Sequence, residues 1–396
     1  MALIVQKYGG TSVGTPERIC AVADRIAQAK RQGDDLIVVV SAMGQSTDEL
    51  IDLAHQVSKQ PPAREMDMLL TTGERISMAL LSMALWDRKV AAVSLTGSQS
   101  GIITHGAHRR ARIKRILGDR VRASLTEGKV TIVAGFQGVS ETKEITTLGR
   151  GGSDTTAVAL AAALGASRCE IYTDVDGVYS ADPRIVPNAR FLPKISHDLM
   201  VELATRGAGV LHPRSVELAK QYGVSLCVRN SLNSKEGTEV TTQGMEEYQV
   251  VGVTSDSGKS LLTVELSRST VLGALWDAAA KAHLSIVAPQ FLDGKVQCFV
   301  DQDAQGEWQK CLGELQTGGF IKRYWLDTQQ VPVSVVGDRF SQDGAALRDV
   351  IEVLAEKGIL VTIGAASALA VTVAVRADRA SEAVQALHAK YLGEPR

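Results

Sequence analysis

The sequence lacks the features that mark disulfide-rich and metal-centred proteins. Its five cysteines are scattered without any C-x-x-C pair, and their odd number is unfavourable for a disulfide framework. We therefore interpret them as small buried apolar residues. The seven histidines show no H-E-x-x-H or related spacing, so no dedicated metal ligands are expected.

Long hydrophobic runs and an excess of one charge are also missing. Apolar stretches such as 36–43 and 157–164 are far shorter than the roughly 20 residues of a membrane-spanning helix. Lys plus Arg (43) almost balances Asp plus Glu (44), so no global field directs the chain to nucleic acid or membrane. The first residues contain no basic segment followed by a long apolar one. We expect a cytoplasmic protein with no nucleic-acid partner and no membrane partner.

What is present is an alternation of strand-like and helix-like segments. Leu3–Tyr8 is followed by the helical pattern of Pro16–Gln32 and then by the β-branched run Leu36–Ser41. This alternation predicts an α/β domain with a mostly parallel sheet covered by helices on both faces. Further strand candidates are Val90–Leu95, Val130–Ala134, Cys169–Thr173 and Ser225–Val228, and further helix candidates are Arg64–Trp86, Thr155–Leu164 and Arg214–Tyr222.

The pattern breaks at residues 230–245, which are rich in Asn, Ser, Gly, Thr and Gln and mark a domain boundary. We assign residues 1–240 to one domain and 241–396 to a second region. That region holds two βαββαβ units of about 70 residues each, of which the second ends on a helix and lacks its fourth strand. We predict that the separate strand 250–254 supplies it. The first unit (about 260–328) is then inserted into the second (about 249–256 plus 330–396).

Two glycine-rich turns each lead from a strand into a helix. They are Lys7–Ser12, which precedes a helix with Pro16 in its first turn, and Leu148–Asp154. Backbone N–H groups and the helix dipole bind anions at such junctions, and Lys7 adds a positive charge. Either turn alone is compatible with an ordinary tight turn, but two on one sheet edge favour anion sites. Neither matches G-x-G-x-x-G, and Gly258-Lys259-Ser260 lacks the glycine spacing of a P-loop.

Seven motifs occur in the order found in aspartate kinases. Residues 1–240 thus resemble the catalytic domain of that family. The resemblance implies the three-layer αβα amino-acid kinase fold, followed by two regulatory ACT domains whose βαββαβ order matches the two units above. It also implies ATP-dependent phosphorylation of the L-aspartate side-chain carboxylate to 4-phospho-L-aspartate, the first step towards lysine, threonine and methionine. The motifs are Lys7–Ser12, Ser41–Gly44, Thr72–Glu74, Gly135–Gly138, Gly149–Asp154, Tyr172–Tyr179 and Leu211–Arg214.

The chemistry of such a reaction explains the types of residue. A β-carboxylate with a reference pKa of about 4 is already ionised at neutral pH, so its attack on the γ-phosphate needs no general base. The difficulty is to bring two anions together, which at about 4 Å and an effective dielectric constant near 20 costs roughly 4 kcal/mol. We predict that Lys7 offsets this repulsion, aided by Mg²⁺ carried with the nucleotide and by the backbone N–H groups of Gly9, Gly10 and Gly152.

Aspartate also carries an α-carboxylate and an ammonium group. Arg150 can bind the carboxylate through two hydrogen bonds. The resemblance places Glu74 at the ammonium, although an isolated glutamate there would be interpreted as a solvated carboxylate at a helix start. From the resemblance, the catalytic residues are Lys7 and Asp154. The substrate residues are Ser41, Thr47, Glu74, Arg150, Gly151, Gly152 and Ser153, and the nucleotide residues are Lys7, Tyr8, Gly9, Gly10, Thr173, Asp174, Tyr179, Ser180, Asp182, Pro183 and Arg184.

The ACT resemblance implies a homo-oligomer and an amino-acid effector, lysine or threonine. Residues 269–272 and Gln290-Phe291 depart from the usual effector-binding loops, so the identity and existence of the effector stay open. Met245 is a candidate start for a separately translated ACT-only chain. Two other functions also stay open: a kinase of the same fold that acts on glutamate, an acylated amino acid or a nucleotide, and a catalytically silent amino-acid sensor. Glu74 disfavours an acylated substrate, and the charges of Lys7, Arg150 and Asp154 disfavour a sensor.

Overall fold

The computed structural model describes residues 2–242, 250–268, 271–282, 284–338, 340 and 345–393. Met245 and residues 269–270, which carry the predictions of an internal start and of an altered effector loop, lie outside these ranges. The described residues form two compact units. The first consists of residues 2–178, 192–201 and 209–242, and the second of 179–191, 202–208 and the described residues from 250 onwards. Within the described ranges, no helix combines the length and apolar character needed to cross a membrane.

Strands and helices alternate up to residue 242. The helices are α1 (Pro16–Arg31), α2 (Ser46–Val57), α3 (Ala63–Asp87), α4 (Asp119–Thr126), α5 (Gly152–Leu164), α6 (His197–Thr205) and α7 (Pro213–Tyr222). The strands are β1 (Leu3–Tyr8), β2 (Asp35–Val40), β3 (Ala92–Leu95), β4 (Ile102–Thr104), β5 (Ile113–Ile116), β6 (Val130–Ala134), β7 (Gln137–Ser140), β8 (Ile145–Thr147), β9 (Arg168–Thr173), β10 (Val178–Tyr179), β11 (Phe191–Leu192), β12 (Lys194–Ser196), β13 (Leu226–Asn230) and β14 (Thr238–Thr241).

Eight of these strands form the main sheet, in the order β12-β14-β13-β9-β1-β2-β6-β3. The run from β13 to β3 is parallel throughout, as the alternation predicts. The strands that follow β1 in the chain are added first on one side of it, beginning with β2, and later on the other side, beginning with β9, so β1 marks the switch point of the sheet. In open α/β sheets, ligands bind at such a switch point, outside the carboxyl ends of the strands. The residues that follow β1, β2, β6 and β9 are therefore the candidates for a site.

Alternate side chains of β1 face opposite layers of helices. Ile4 and Tyr8 pack into a buried core with α1 and α3. Lys7 faces the other way and meets Asp154 of α5. The predicted αβα layering is therefore confirmed. A second, four-stranded sheet of order β5-β4-β7-β8 was not predicted, because its strands contain only three or four residues and show no clear alternation.

The second unit contains two antiparallel four-stranded sheets, β17-β18-β16-β19 and β15-β20-β22-β21. Its strands are β15 (Val250–Ser255), β16 (Lys259–Leu266), β17 (Val287–Leu292), β18 (Lys295–Asp301), β19 (Ile321–Asp327), β20 (Gln330–Gly337), β21 (Gly364–Ala366) and β22 (Ala370–Arg376). Its helices, apart from short 3₁₀ turns, are α8 (Leu272–Lys281), α9 (Gln305–Thr317), α10 (Ala345–Glu356) and α11 (Ala380–Leu392).

Both sheets have the strand order of a βαββαβ unit. β15 pairs antiparallel with β20, which is the pairing predicted for strand 250–254. One strand prediction is wrong, because residues 360–363 precede the ladder and the strand is Gly364–Ala366. Ile359 and Ile363 are apolar because they pack into buried cores as loop residues, while Leu360 between them is 76% exposed.

Candidate active site

An ion pair lies at the carboxyl end of β1. Lys7 Nζ is 2.6 Å from Asp154 Oδ1, and each side chain is only 12% exposed. Asp154 belongs to the first turn of α5, so the ammonium group lies beside a helix N-terminus. A Cβ atom at Gly9 would lie 3.5 Å from Lys7 Nζ, in ordinary van der Waals contact, so the glycine keeps one further apolar group away from the ammonium group. Lys7 is thus available to an anion at the sheet edge.

The turn before α5 requires glycine at two positions. Gly149 and Gly151 have φ values of 78° and 64°, a left-handed conformation that L side chains rarely adopt. At Gly151 a Cβ atom would also lie 2.1 Å from the His212 ring. The first N–H groups of a helix have no intrahelical acceptor, so this turn delivers free donors to the sheet edge. The predicted anion site therefore has a structural basis.

Two of the three backbone N–H groups predicted to bind phosphate already donate to acceptors within the protein. Gly9 N donates to Tyr172 O at 3.1 Å, and Gly152 N donates to Gly149 O at 3.0 Å. These two glycines shape their turns, and their N–H groups are already used. The donors that fit an anion are the N–H of Gly10 and the first-turn N–H groups of Ser153 and Asp154.

Glu74 is a buried carboxylate in the middle of α3, only 3% exposed. Its Oε1 accepts a hydrogen bond from Ala42 N at 3.2 Å, whereas its buried Oε2 has no partner among the described residues. Burial raises the pKa of Glu74 to about 7. A buried carboxylate oxygen without a donor is costly, so the site suits an incoming cation. Glu74 is therefore not the solvated helix-start carboxylate that the residue in isolation would suggest.

A glycine explains how Glu74 reaches the turn after β2. A Cβ atom at Gly73 would lie 2.8 Å from the Cβ atom of Ala42. Only the missing side chain lets α3 approach this turn closely enough for Ala42 N to bond the carboxylate. In the Thr72-Gly73-Glu74 motif, Gly73 thus allows the close packing that positions the Glu74 carboxylate.

The other predicted substrate residues belong to the same unit. Ser41 directly follows β2, and its N–H donates to Tyr8 O at 3.1 Å. Thr47 is half-buried in the first turn of α2, and Arg150 is exposed within the glycine turn. Ser153 is buried against Gly135, where a Cβ atom would lie 2.7 Å from Ser153 Oγ. Ser41 and Ser153 thus lie at the carboxyl ends of β2 and β6.

The predicted nucleotide residues of the first unit differ in orientation. Tyr8 is fully buried, its ring stacks on Tyr172 with 4.7 Å between centroids, and its hydroxyl donates to Gln6 Oε1 at 3.2 Å. Its side chain therefore faces the α1 layer, opposite Lys7, and only its backbone adjoins the turn. Thr173 and Asp174 lie at the carboxyl end of β9, half-buried and exposed respectively.

Five predicted nucleotide residues, Tyr179, Ser180, Asp182, Pro183 and Arg184, lie in the second unit. Ser180 is fully buried, and its Oγ bonds His388 Nε2 at 2.9 Å and accepts from Arg190 N at 2.8 Å. Its backbone N–H and C=O are also bonded, to Arg190 O and Val253 N. We therefore leave Ser180 out of the proposed nucleotide site. Asp182, Pro183 and Arg184 keep surface positions.

Sequence reasoning missed a second buried carboxylate on α3. Asp67 is fully buried and accepts hydrogen bonds from His108 Nδ1 at 2.8 Å, from Arg109 N at 3.1 Å and from Thr147 Oγ1 at 2.6 Å. Periodicity treats a charged residue on an amphipathic helix as part of its solvated face, so the sequence carries no signal for this burial.

A protein cage for a metal ion is not formed by the described ranges. They contain no group of three or more His, Cys, Asp or Glu side chains that could hold one. Mg²⁺ in kinase sites is commonly bound by nucleotide phosphates, waters and one or two carboxylates, and an all-protein cage is not its usual site.

An open, largely parallel sheet between helices, with an ammonium group and a helix N-terminus at its switch point, is the arrangement expected for the amino-acid kinase class. The model of the amino acid kinase family matches residues 2–230. The chain is 45% identical to the aspartokinase of Bacillus sp. (strain MGA3) and 46% identical to that of Geobacillus stearothermophilus, each over 98% of this chain and 97% of the relative. The structure of E. coli aspartokinase III in complex with aspartate and ADP (R-state) matches with a TM-score of 0.87 at 25% identity, over 99% of this chain and 100% of that one.

The chain belongs to the aspartokinase family. The predicted class of enzyme, an aspartate kinase that uses a nucleotide, is thereby confirmed.

Proposed function

We propose that this chain transfers the γ-phosphoryl group of ATP to the side-chain carboxylate of L-aspartate, giving 4-phospho-L-aspartate and ADP. The observation that carries the proposal is that one oxygen of buried Glu74, on the same unit as the Lys7–Asp154 pair, has no partner within the described part of the chain. A free α-ammonium group satisfies this oxygen, whereas an acylated amino acid leaves it unpaired, a situation that sites discriminate against strongly. E. coli aspartokinase III binds aspartate and ADP, which supports the same pair of ligands here.

The reaction requires positioning and charge more than proton transfer. The substrate carboxylate is ionised at neutral pH, so no side chain has to act as a base. Lys7 reduces the repulsion between this carboxylate and the γ-phosphate and stabilises the charge of the transferring group. Asp154 holds the ammonium group of Lys7 in place through the 2.6 Å contact. The free N–H groups at the start of α5 add positive potential on the same side.

The remaining residues bind the two substrates. Arg150 is proposed to bind the α-carboxylate of aspartate, with Ser41, Thr47, Gly151, Gly152 and Ser153 around the substrate. Lys7, Gly10, Thr173 and Asp174 adjoin the proposed phosphate and nucleotide positions, and Tyr8 and Gly9 shape the first turn. For Tyr179, Asp182, Pro183 and Arg184 of the second unit, a nucleotide contact stays a prediction from the resemblance. Mg²⁺ is proposed to enter with ATP and to offset phosphate charge.

We further propose that the reaction is the first step of a pathway to lysine, threonine and methionine in the cytoplasm. The two ACT-like sheets of the second unit support homo-oligomerisation and an amino-acid effector, lysine or threonine. A separate chain that starts at Met245 stays a prediction. An immunoblot with an antibody against the last 100 or so residues checks it, since a single full-length band contradicts it.

The proposal is tested by ATP turnover with L-aspartate, L-glutamate and N-acetylglutamate in parallel. Hydroxylamine traps any acyl phosphate as a hydroxamate, and each assay is repeated with lysine and with threonine. We expect a hydroxamate from aspartate only, because Glu74 needs the free ammonium group and the site is proposed to fit the shorter side chain. Preferred turnover of glutamate or N-acetylglutamate would support the same-fold alternative. No hydroxamate from any substrate would support the silent sensor.

Gly73→Ala is expected to impair aspartate use although alanine is about 1 kcal/mol better than glycine in an exposed helix interior. The added methyl group would lie 2.8 Å from Ala42 Cβ, so α3 must move and the Glu74 to Ala42 hydrogen bond is disturbed. We expect the KM for aspartate to rise about tenfold and Tm to fall, because a small displacement of a positioned group has a large kinetic effect. Steady-state kinetics and thermal unfolding check this.

The matched control is Gly313→Ala in α9, where a Cβ atom meets nothing within 4 Å. This control is expected to keep the KM for aspartate and to keep or raise Tm. A Gly73→Ala variant that behaves like Gly313→Ala would show that the close approach of α3 is unimportant.

A further inference from the structure

A buried carboxylate outside the proposed chemistry organises the loop beside Arg150. Asp67 Oδ2 contacts His108 Nδ1 at 2.8 Å, Thr147 Oγ1 donates to Oδ1 at 2.6 Å, and Arg109 N lies 3.1 Å from both oxygens. An ionised carboxylate only accepts hydrogen bonds, so His108 Nδ1 and the Thr147 hydroxyl must donate. A fully buried carboxylate is tolerated when donors surround it in this way, and its network is correspondingly rigid.

These donors come from two chain segments that lie against each other. Within residues 105–112, Arg109 has a left-handed φ of 65°, a strained conformation that its two contacts with Asp67 hold in place. Ala111 N donates to Thr147 O at 2.8 Å. Arg109 O lies 3.0 Å from the position that a Cβ atom of Gly149 would take. The loop therefore packs directly on the start of the glycine turn.

Arg214 also forms hydrogen bonds with both of these segments. Its guanidinium donates to Leu148 O at 2.9 Å and to Ala111 O at 3.0 Å. Leu148 N in turn donates to Phe136 O at 2.8 Å. The backbone just before Arg150 is thus constrained by hydrogen bonds at residues 147 and 148 and by packing at residue 149. Arg150 is exposed and follows these three residues directly in the chain, so this frame constrains where its backbone lies.

We propose that Asp67 is a positioning residue for the substrate, which acts through His108, Arg109 and Thr147 to fix the glycine turn and hence Arg150. The inference rests on the proposed role of Arg150 at the α-carboxylate of aspartate. Asp67 touches neither substrate in this assignment. A displacement of about 1 Å at a positioning group can cost up to about a hundredfold in rate. Loosening the frame should therefore weaken aspartate binding and leave ATP binding nearly unchanged.

Two adjacent threonines of β8 allow a matched test. Thr147 donates to Asp67 at 2.6 Å, whereas Thr146 forms a hydroxyl pair with Thr104 at 2.6 Å, and both threonines are buried. Thr147→Val and Thr146→Val each remove one hydroxyl group with little change of shape. We expect Thr147→Val to raise the KM for aspartate about tenfold. The KM for ATP should change less than about twofold in both variants, and so should the KM for aspartate in Thr146→Val.

Rescue variants separate positioning from folding. Thr147→Ser keeps the donor and is expected to restore the KM for aspartate, even if it lowers Tm. His108→Asn places an amide N–H near the former Nδ1 position, so it should retain a lower KM for aspartate than His108→Ala does. Asp67→Ala removes both acceptor oxygens and leaves Arg109 N–H, the Thr147 hydroxyl and His108 Nδ1 without this partner, so it should raise the KM for aspartate at least as much as Thr147→Val does.

The wild-type hydroxamate assay comes first, because it separates the two hypotheses. If the wild-type protein forms no aspartyl hydroxamate, the proposed function fails, and the positioning role that rests on it fails for that reason alone. If it does form the hydroxamate, equal KM values for aspartate in Thr147→Val and Thr146→Val overturn the positioning role and leave the proposed function standing. A parallel rise in the KM for ATP would equally overturn it, since general loosening of the fold then explains the loss.

Discussion

Replacing Glu74 by glutamine is expected to abolish efficient aspartate turnover and, at the same time, to stabilise the ligand-free protein at pH 8. Burial raises the pKa of this carboxyl group to about 7, from a usual value near 4.5. A raised pKa means that folding favours the neutral form. The contribution of the Glu74 carboxyl group to the free energy of unfolding is fully present below about pH 4.5, where the group is neutral, and is lost as the pH rises through about 7. At pH 8 the buried anion then costs about 3 kcal/mol, a cost that the amide removes.

Urea unfolding of the wild-type protein and of Glu74→Gln at pH 5 and pH 8 measures this effect. The glutamine variant should be more stable by about 2–3 kcal/mol at pH 8 and by much less at pH 5. Glu65→Gln on the same helix is the control, because Glu65 is exposed and its ion pair with Arg64 lies in solvent, where such pairs contribute little to stability. Equal stability of Glu74→Gln and the wild-type protein at pH 8 would show that Glu74 is not under electrostatic stress.

The kinetic side of the same substitution should be large. Removal of one partner of a buried charge pair costs about 2–5 kcal/mol, so kcat/KM for aspartate is expected to fall at least about thirtyfold. In the wild-type protein, kcat/KM for aspartate should decline as the pH falls through about 7, because protonated Glu74 no longer neutralises the ammonium group. Glu74→Gln should lack this titration. A glutamine variant with wild-type kcat/KM would remove Glu74 from the substrate site.

Replacing Lys7 by methionine is expected to lower kcat about 10²–10³-fold, the usual loss when a charge that stabilises a transition state is removed. Lys7 is the cation at the end of β1, and its ammonium group lies 2.6 Å from Asp154. The KM for ATP should change only a few-fold, because the backbone N–H groups and the loop after β9, which we propose to bind the nucleotide, are unaltered. The kcat from ADP release and direct ATP titration separate the two quantities. A variant with unchanged kcat contradicts the assignment.

Stability must be measured alongside, because Lys7→Met leaves the carboxylate of Asp154 with little exposure and no counterion. That change should destabilise the protein by about 3 kcal/mol if the pair behaves as buried. The double variant Lys7→Met/Asp154→Asn removes both charges and is expected to recover most of the stability and none of the turnover. Recovery of turnover in the double variant would show that the loss came from the unpaired carboxylate.

The order of elements near the site was largely predictable, since it depends on local patterns. β1 was predicted as Leu3–Tyr8 and β6 as Val130–Ala134, and the structure has the same bounds. A buried parallel strand is a short apolar run between turns, so its sequence shows it directly. Helix α2 was not predicted, although Leu50, Ile51, Ala54 and Val57 recur at helical spacing, and in the structure none of its residues is fully buried.

The site residues divide in the same way. The glycine turns were visible in the sequence because positive φ angles and close approaches demand glycine, as at Gly151. Strand alternation places the Tyr8 side chain opposite that of Lys7, and its ring accordingly lies in the core beside α1 and not at the predicted nucleotide site. The residues around Ser180 do not indicate that it is buried, but its hydroxyl forms a hydrogen bond with His388, 208 residues away in the chain.

The sequence by itself thus determined the family, the parallel sheet, and the two glycine turns with Lys7 in one and Arg150 in the other. These properties depend on backbone conformation and on motif order, which neighbouring residues specify. Only the tertiary structure decided that Glu74 is buried with an unpartnered oxygen and that Asp67 joins residues 108, 109 and 147. Desolvation and hydrogen bonding of a charge depend on which distant segments pack around it, because the cost of a buried carboxylate is set by its whole environment.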